Sequence, residues 1–266
     1  MIKALASLAL ILSTIGSAMA ENAPPNVVKE LAPTGTLRAA LNFGNTVLAQ
    51  RDPAGGAPRG VSADLARELA KRLGVPINFV AFDAAGKVFE AAQRGEWDIA
   101  FLAVDPARAT DIDFTPPYVV IEGAYMVPAD SPIKSNDEVD RAGVRIVVGG
   151  NSAYDLYLKR TIKNATLVRS AGGATAPIQM FLKDKTEVVA GVKQPLVAYA
   201  KTDPKVRMLE GRFMEIQQAM GTTKGRPAGL AYLRGFIEEM KASGFVAKAL
   251  AASGQTDAAV APPAKP

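Results

Sequence analysis

The sequence predicts an α/β protein of two lobes, and three observations carry that expectation. Short apolar runs alternate with segments of helical periodicity, the pattern of a right-handed, mostly parallel sheet covered by helices. The alternation occurs before and again after Tyr118–Pro128, an extended, β-branched segment that is a candidate crossing strand between lobes. Finally, runs such as Ile99–Val104 and Val188–Val192 are continuously apolar, as strands buried on both faces are.

Taken in order, Glu21–Pro33 is rich in Pro, Asn and Ala and reads as a loose lead-in. Thr36–Asn42 is the first strand, with Leu37, Ala39 and Leu41 on one face, and it ends in the flexible turn Asn42-Phe43-Gly44-Asn45. Beyond the Gly/Pro-rich loop Gln50–Arg59, a helix starts with Ser62 as N-cap. It carries Leu65, Leu69 and Leu73 on one face and stops at Gly74 before Pro76. Ile77–Phe82 is the second strand and Lys87–Arg94 the second helix. The third strand, Ile99–Val104, runs into Asp105-Pro106, an N-cap followed by a favourable first helical residue, so a short helix is expected there. Arg108 in its first turn is poorly placed unless an anion joins it, because the free N–H groups of that turn attract one.

The second half repeats the scheme. Val144–Val148 is a strand, Gly149-Gly150-Asn151 a turn, and Ser152 the N-cap of a helix through Lys163. Ala171–Pro177 is a small-residue loop, Ile178–Leu182 helical, Val188–Val192 a strand and Leu196–Lys201 a helix. Helices follow over Pro227–Lys241 and Phe245–Ala252. The Ala/Pro tail from Thr256 is expected to be disordered.

Composition excludes several functions. With no His and no Cys, imidazole bases, zinc sites, thiol nucleophiles and disulfides are all absent, and no metal or cofactor is expected. The net charge of +5 comes from dispersed residues, with one Trp and six Tyr for stacking, so no basic stripe for nucleic acid is present. Asp111 and Asp113 read as turn residues rather than a catalytic pair. Lys3, the apolar stretch Ala4–Ile15 and Ala18-Met19-Ala20 form a secretory signal with cleavage after Ala20, which predicts a periplasmic protein.

Asp105-Pro106-Ala107-Arg108 followed by Phe114-Thr115-Pro116-Pro117-Tyr118 resembles the first-lobe signature of the extracytoplasmic solute-binding proteins that feed amino-acid-type ABC importers. Gly60-Val61-Ser62-Ala63-Asp64-Leu65-Ala66 and the turn before Tyr154 fit the same family, and the resemblance runs from about residue 35 to 253. It implies a type 2 periplasmic-binding-protein fold with two hinge crossings, near Ile121–Val127 and Ile216–Thr222. Residues 35–121 and 222–254 would form lobe 1, residues 122–221 lobe 2, and 255–266 the tail. The implied partners are a small anionic or zwitterionic solute and the importer's membrane subunits, with the protein acting as a monomer.

By the same resemblance, Arg108 grips a ligand carboxylate beside the backbone near Ala103, and Asn42 and Asn45 stand where relatives present an acid and an aromatic residue. Asn151, Ser152 and Ala153 meet the ligand from the second lobe, and Gln217 or Gln218 lies near the cleft. Lys193, followed by Gln194, replaces the Asp that receives an α-ammonium in amino-acid-binding relatives, and Ala84 or Ala85 replaces their aromatic platform. Arg108 and Lys193 are therefore expected to face each other around a small carboxylic acid, with a second carboxylate, oxo or hydroxyl group toward Lys193. Glu122 either faces water at a strand edge or accepts from a ligand ammonium. Two other readings remain open: an exported dehydratase of the cyclohexadienyl type, with Glu122 as its acid, and a sensory binding protein.

Overall fold

The computed structural model describes residues 23–265 apart from Ala174. The expected secretory signal falls outside the described residues. The chain begins with α1 (Pro25–Leu31), β1 (Leu37–Asn42), α2 (Val61–Leu73), β2 (Ile77–Phe82), α3 (Ala85–Gln93) and β3 (Ile99–Ala103). The long strand β4 (Ile112–Pro128) then leads into β5 (Arg145–Gly149), α4 (Ala153–Thr161), β6 (Thr166–Ser170), α5 (Ala176–Asp184), β7 (Val188–Val192), α6 (Lys193–Ala200) and β8 (Val206–Met208). The return strand β9 (Met214–Thr223) is followed by α7 (Pro227–Ala242), α8 (Phe245–Ala252) and β10 (Ala259–Val260).

The strand order is β2-β1-β3-β9-β4-β7-β5-β6. In the first lobe β1 pairs in parallel with β2 and β3; in the second, β5 pairs in parallel with β6 and β7. The crossing strands β4 and β9 form an antiparallel ladder from Ile112 opposite Thr223 to Gly123 opposite Met214. Its register shifts around Pro117, which has no N–H to donate. The sheet is thus continuous through the crossing, while the lobes keep separate cores. Leu37, Leu41, Leu65, Leu69, Leu233 and Ile237 pack on one face of the first-lobe sheet, and Trp97, Val88 and Leu102 on the other. In the second lobe Tyr125, Ile146, Val148 and Leu158 fill one face, and Val147, Phe181, Val189 and Leu196 the other.

Several local expectations change. The lead-in is helical in α1, because Val27 and Leu31 are buried and Glu30 Oε2 accepts from the Gly229 amide at 2.7 Å. Gly60, at φ 105°, takes the N-cap of α2, and the Ser62 hydroxyl instead meets the Tyr118 hydroxyl at 3.0 Å inside the core. The described part of the tail docks on the first lobe instead. Ala259 and Val260 pair with Val120 and Val119 of β4, Ala261 is 3% exposed, and Lys241 Nζ donates to the carbonyls of Pro117 and Pro262. Composition pointed to disorder, but an open strand edge supplies partners for the tail's backbone groups.

Candidate functional site

The carboxyl ends of β1 and β3 from the first lobe and of β5 and β7 from the second converge on one cleft, where open α/β sheets hold ligands. The cleft has a volume of about 80 Å³ and is lined by Asn42 and Ala103 from one side and Gly149 and Val192 from the other. Apolar walls come from Leu102, Pro177, Ile178, Leu196 and Ile216.

Arg108 lies at the cleft and is 1% exposed. The expected helix is a single turn. Asp105 caps it, Oδ1 accepting from the Ala107 amide at 2.9 Å and the carbonyl from the amides of Arg108 and Ala109 at 3.0 Å, before β4 takes over at Ile112. That turn directs the Arg108 side chain back across β3. Its Nη1 donates to the Ala103 carbonyl and its Nη2 to the Asn151 carbonyl of the second lobe, both at 2.9 Å. Among the described residues, Nε is buried without a partner. Burial pushes the guanidinium down to about 10, and Asp105 offsets part of that effect. Of five N–H donors, three remain for a ligand, in the fork that matches a carboxylate.

A second cross-lobe contact reinforces the first. Arg160 on α4 donates to Asp105 Oδ2 at 2.8 Å, and the Asp105 carboxylate is 4% exposed. Asn151 sits in the left-handed region at φ 56°, held there by Asp155, whose Oδ2 accepts from its amide at 2.8 Å and which in turn pairs with Arg169. Ser152 is the N-cap of α4 as expected, its Oγ accepting from the Asp155 amide.

Asn42, Asn45, Ala103, Arg108, Ser152 and Ala153 line the cleft. Asn151 adjoins it through the carbonyl that meets Arg108. Asn42 Oδ1 is occupied by the Gly44 amide at 3.0 Å, whereas Asn45, 7% exposed, has no partner for Oδ1 among the described residues. Tyr154 also lines the cleft, and burial pushes its hydroxyl up. The remaining expected residues lie elsewhere. Lys193 does not face Arg108: its Nζ binds Glu122 Oε2 at 2.6 Å, and Arg212 holds the other Glu122 oxygen at 3.0 Å. These cations hold the Glu122 carboxyl below its ordinary range, Lys193 contributing most. Glu122, Lys193 and Gln194 line a separate depression of about 530 Å³ beside α6, with Thr46 and Gln255 across it. Glu122 therefore faces this solvent-open depression, paired with two cations, and not the cleft. Gln217 is exposed, and Gln218, opposite Ala103 on β9, lines the cleft instead, since neighbouring strand residues face opposite sides.

Sequence reasoning missed Gln218 as the choice between the two glutamines, the glycines Gly172 and Gly173 at the cleft, and the Asp105–Arg160 pair. The glycine dipeptide in a small-residue loop was the available signal for a close approach; nothing local signals the ion pair.

The lobes meet closely at Gly86, near the start of α3, where an added Cβ would stand 2.7 Å from Asn151 Cβ. Gly86→Ala is therefore expected to wedge the lobes apart and weaken solute binding by about tenfold. Thermal stability of the solute-free protein should hold or rise, since Ala is favoured over Gly in a helix by up to about 1 kcal/mol. Titration calorimetry paired with melting curves checks both directions; unchanged affinity would show that this contact does not limit closure.

A membrane-bound lytic murein transglycosylase F from Aeromonas salmonicida is 25% identical over 162 residues, 60% of this chain and 32% of that protein. The amino-acid-binding protein AabA of Dichelobacter nodosus is 26% identical over 139 residues, 51% of this chain and 54% of its own length. The chain thus matches about a third and about half of these two relatives. A solved L-cysteine solute receptor of Neisseria gonorrhoeae superposes with a TM-score of 0.73 at 23% identity, covering 85% of this chain and 92% of that one, which establishes a common fold. The model of the bacterial extracellular solute-binding proteins, family 3, matches residues 48–252, and this chain belongs to that family.

Proposed function

We propose that this protein is an extracytoplasmic receptor that closes on a small carboxylate-bearing solute and presents its closed form to the membrane subunits of an ABC importer. The observation that carries this reading is Arg108, a buried guanidinium with three free N–H donors at a cleft that the two lobes share. A buried cation without an anion is unfavourable, and a ligand carboxylate both neutralises it and satisfies its fork. The Arg108–Asn151 and Arg160–Asp105 bonds favour the closed state, so a solute that bridges the lobes shifts the population further toward closure. Relatives that bind amino acids, AabA and the L-cysteine receptor among them, support a small solute of that general size. In this reading the protein works as a periplasmic monomer, with no catalytic step. Glu122, which a dehydratase reading would need as its acid, is engaged by Lys193 and Arg212 outside the cleft.

The test is native mass spectrometry of the protein as purified, followed by melting curves of the stripped protein with amino, hydroxy and oxo acids at millimolar concentration. A co-purifying small organic acid that raises the melting temperature on return is expected. Absence of any adduct, with no thermal shift from the whole panel, would overturn the reading.

A further inference from the structure

The charges around the cleft do not balance for a zwitterion. Among the described residues lining it, the charged side chains are Arg108 and Asp83. The Asp83 carboxylate pairs with Arg51 at 2.9 Å and is 57% exposed, so it belongs to the surface. Other nearby acids are committed elsewhere: Asp105 to Arg160, Asp155 to Arg169 and the Asn151 amide, Glu122 to Lys193 and Arg212. Arg108 therefore contributes one positive charge, and no lining carboxylate is left for an ammonium. An α-amino acid would neutralise Arg108 with its carboxylate and carry in a second, desolvated cation. Asn45 offers that cation one unpartnered amide oxygen. A hydroxyl group suits that oxygen better, since it needs only one acceptor, and the same amide turned over donates to an oxo group. Because Lys193 is outside the cleft, a second carboxylate finds no second cation among the described lining residues. Size points the same way: the space of about 80 Å³ suits a small solute, and Leu102, Pro177, Ile178, Leu196 and Ile216 give it apolar walls.

Resting on the carboxylate-receptor reading above, we infer that the cleft selects a short-chain 2-hydroxy or 2-oxo monocarboxylic acid over the amino acid of the same skeleton, with Asn45 as the specificity-determining residue. Arg108 takes the carboxylate, Asn45 the group on the neighbouring carbon, and Leu102, Ile178 and Ile216 the short aliphatic end.

The test is calorimetric titration of the full chain, stripped of solute, with 2-hydroxypropanoate, 2-oxopropanoate, 2-aminopropanoate and butanedioate. The hydroxy and oxo acids are expected to bind at least about 100-fold more tightly than the amino and dicarboxylic compounds, the discrimination that an unpaired buried group imposes. Asn45→Asp supplies the missing carboxylate, and should strengthen 2-aminopropanoate by at least about tenfold while weakening 2-hydroxypropanoate. Equal or tighter binding of the amino compound by the unaltered protein would overturn the inference and leave the carboxylate receptor standing. An unchanged preference in Asn45→Asp would overturn the role of Asn45. Failure of all four probes to bind would overturn the inference, while the carboxylate receptor stands or falls on the wider panel described above.

Discussion

Arg108→Ala is expected to abolish solute retention, with a loss of about 2–4 kcal/mol, or roughly 30- to 1,000-fold in Kd. The free energy is large because the guanidinium is fully desolvated, so its charge is screened little and each N–H to a carboxylate is strong. The fold should survive, since Arg108 lines the cleft between the lobes rather than filling either apolar core. Arg108→Lys keeps the charge but not the fork, and should recover part of the affinity rather than all of it. Calorimetry on both variants, with circular dichroism to confirm folding, measures this. Undiminished affinity in Arg108→Ala would move the binding site away from the cleft.

The second large effect is on stability. Asp98 is fully buried at the start of β3 and gathers the first lobe around itself. Its carboxylate accepts from the Arg38 amide and Nε at 3.0 Å, from Arg38 Nη2 at 2.8 Å and from Arg226 Nη1 at 3.3 Å. Its carbonyl accepts from Thr222 Oγ1 at 3.0 Å. One residue thus ties β1 to β9 and to the start of α7. Removing it strands two half-buried guanidinium groups, so Asp98→Ala should cost about 3–5 kcal/mol and lower Tm by about 10 °C. Asp98→Asn, which retains one acceptor, should lose less. A thermal melt that leaves Asp98→Ala within about 0.5 kcal/mol of the parent, the range of an ordinary surface change, would show that solvent replaces the carboxylate.

Elements built from local signals were readable in the sequence. Ile77–Phe82, Val188–Val192 and Phe245–Ala252 match their structural bounds, because each is an apolar run or helical stripe closed by turn residues. Ser152 kept its cap because the residue it serves, Asp155, is three positions away. Residues whose partners are distant in sequence were not readable. Lys193 reads as a cleft cation until β4 is placed alongside it with Glu122. The face of Gln217 depends on a register between β9 and β3 that only the folded sheet fixes. The tail is apolar enough to dock but carries no sign of the edge that receives it. In each case a long-range partner decided the outcome.

The position of β9 between β3 and β4 has a consequence for how the chain acquires its fold. The second lobe's parallel strands come from one uninterrupted stretch and can assemble as soon as that stretch is available. The first lobe cannot. Its sheet has an empty central slot until Met214–Thr223 arrives, more than a hundred positions after β3. Closing so long a loop is slow, and meanwhile the edge of β3 stands open to pairing with another chain. A nascent chain is therefore vulnerable longest along β3, which gains protection only when β9 has been made.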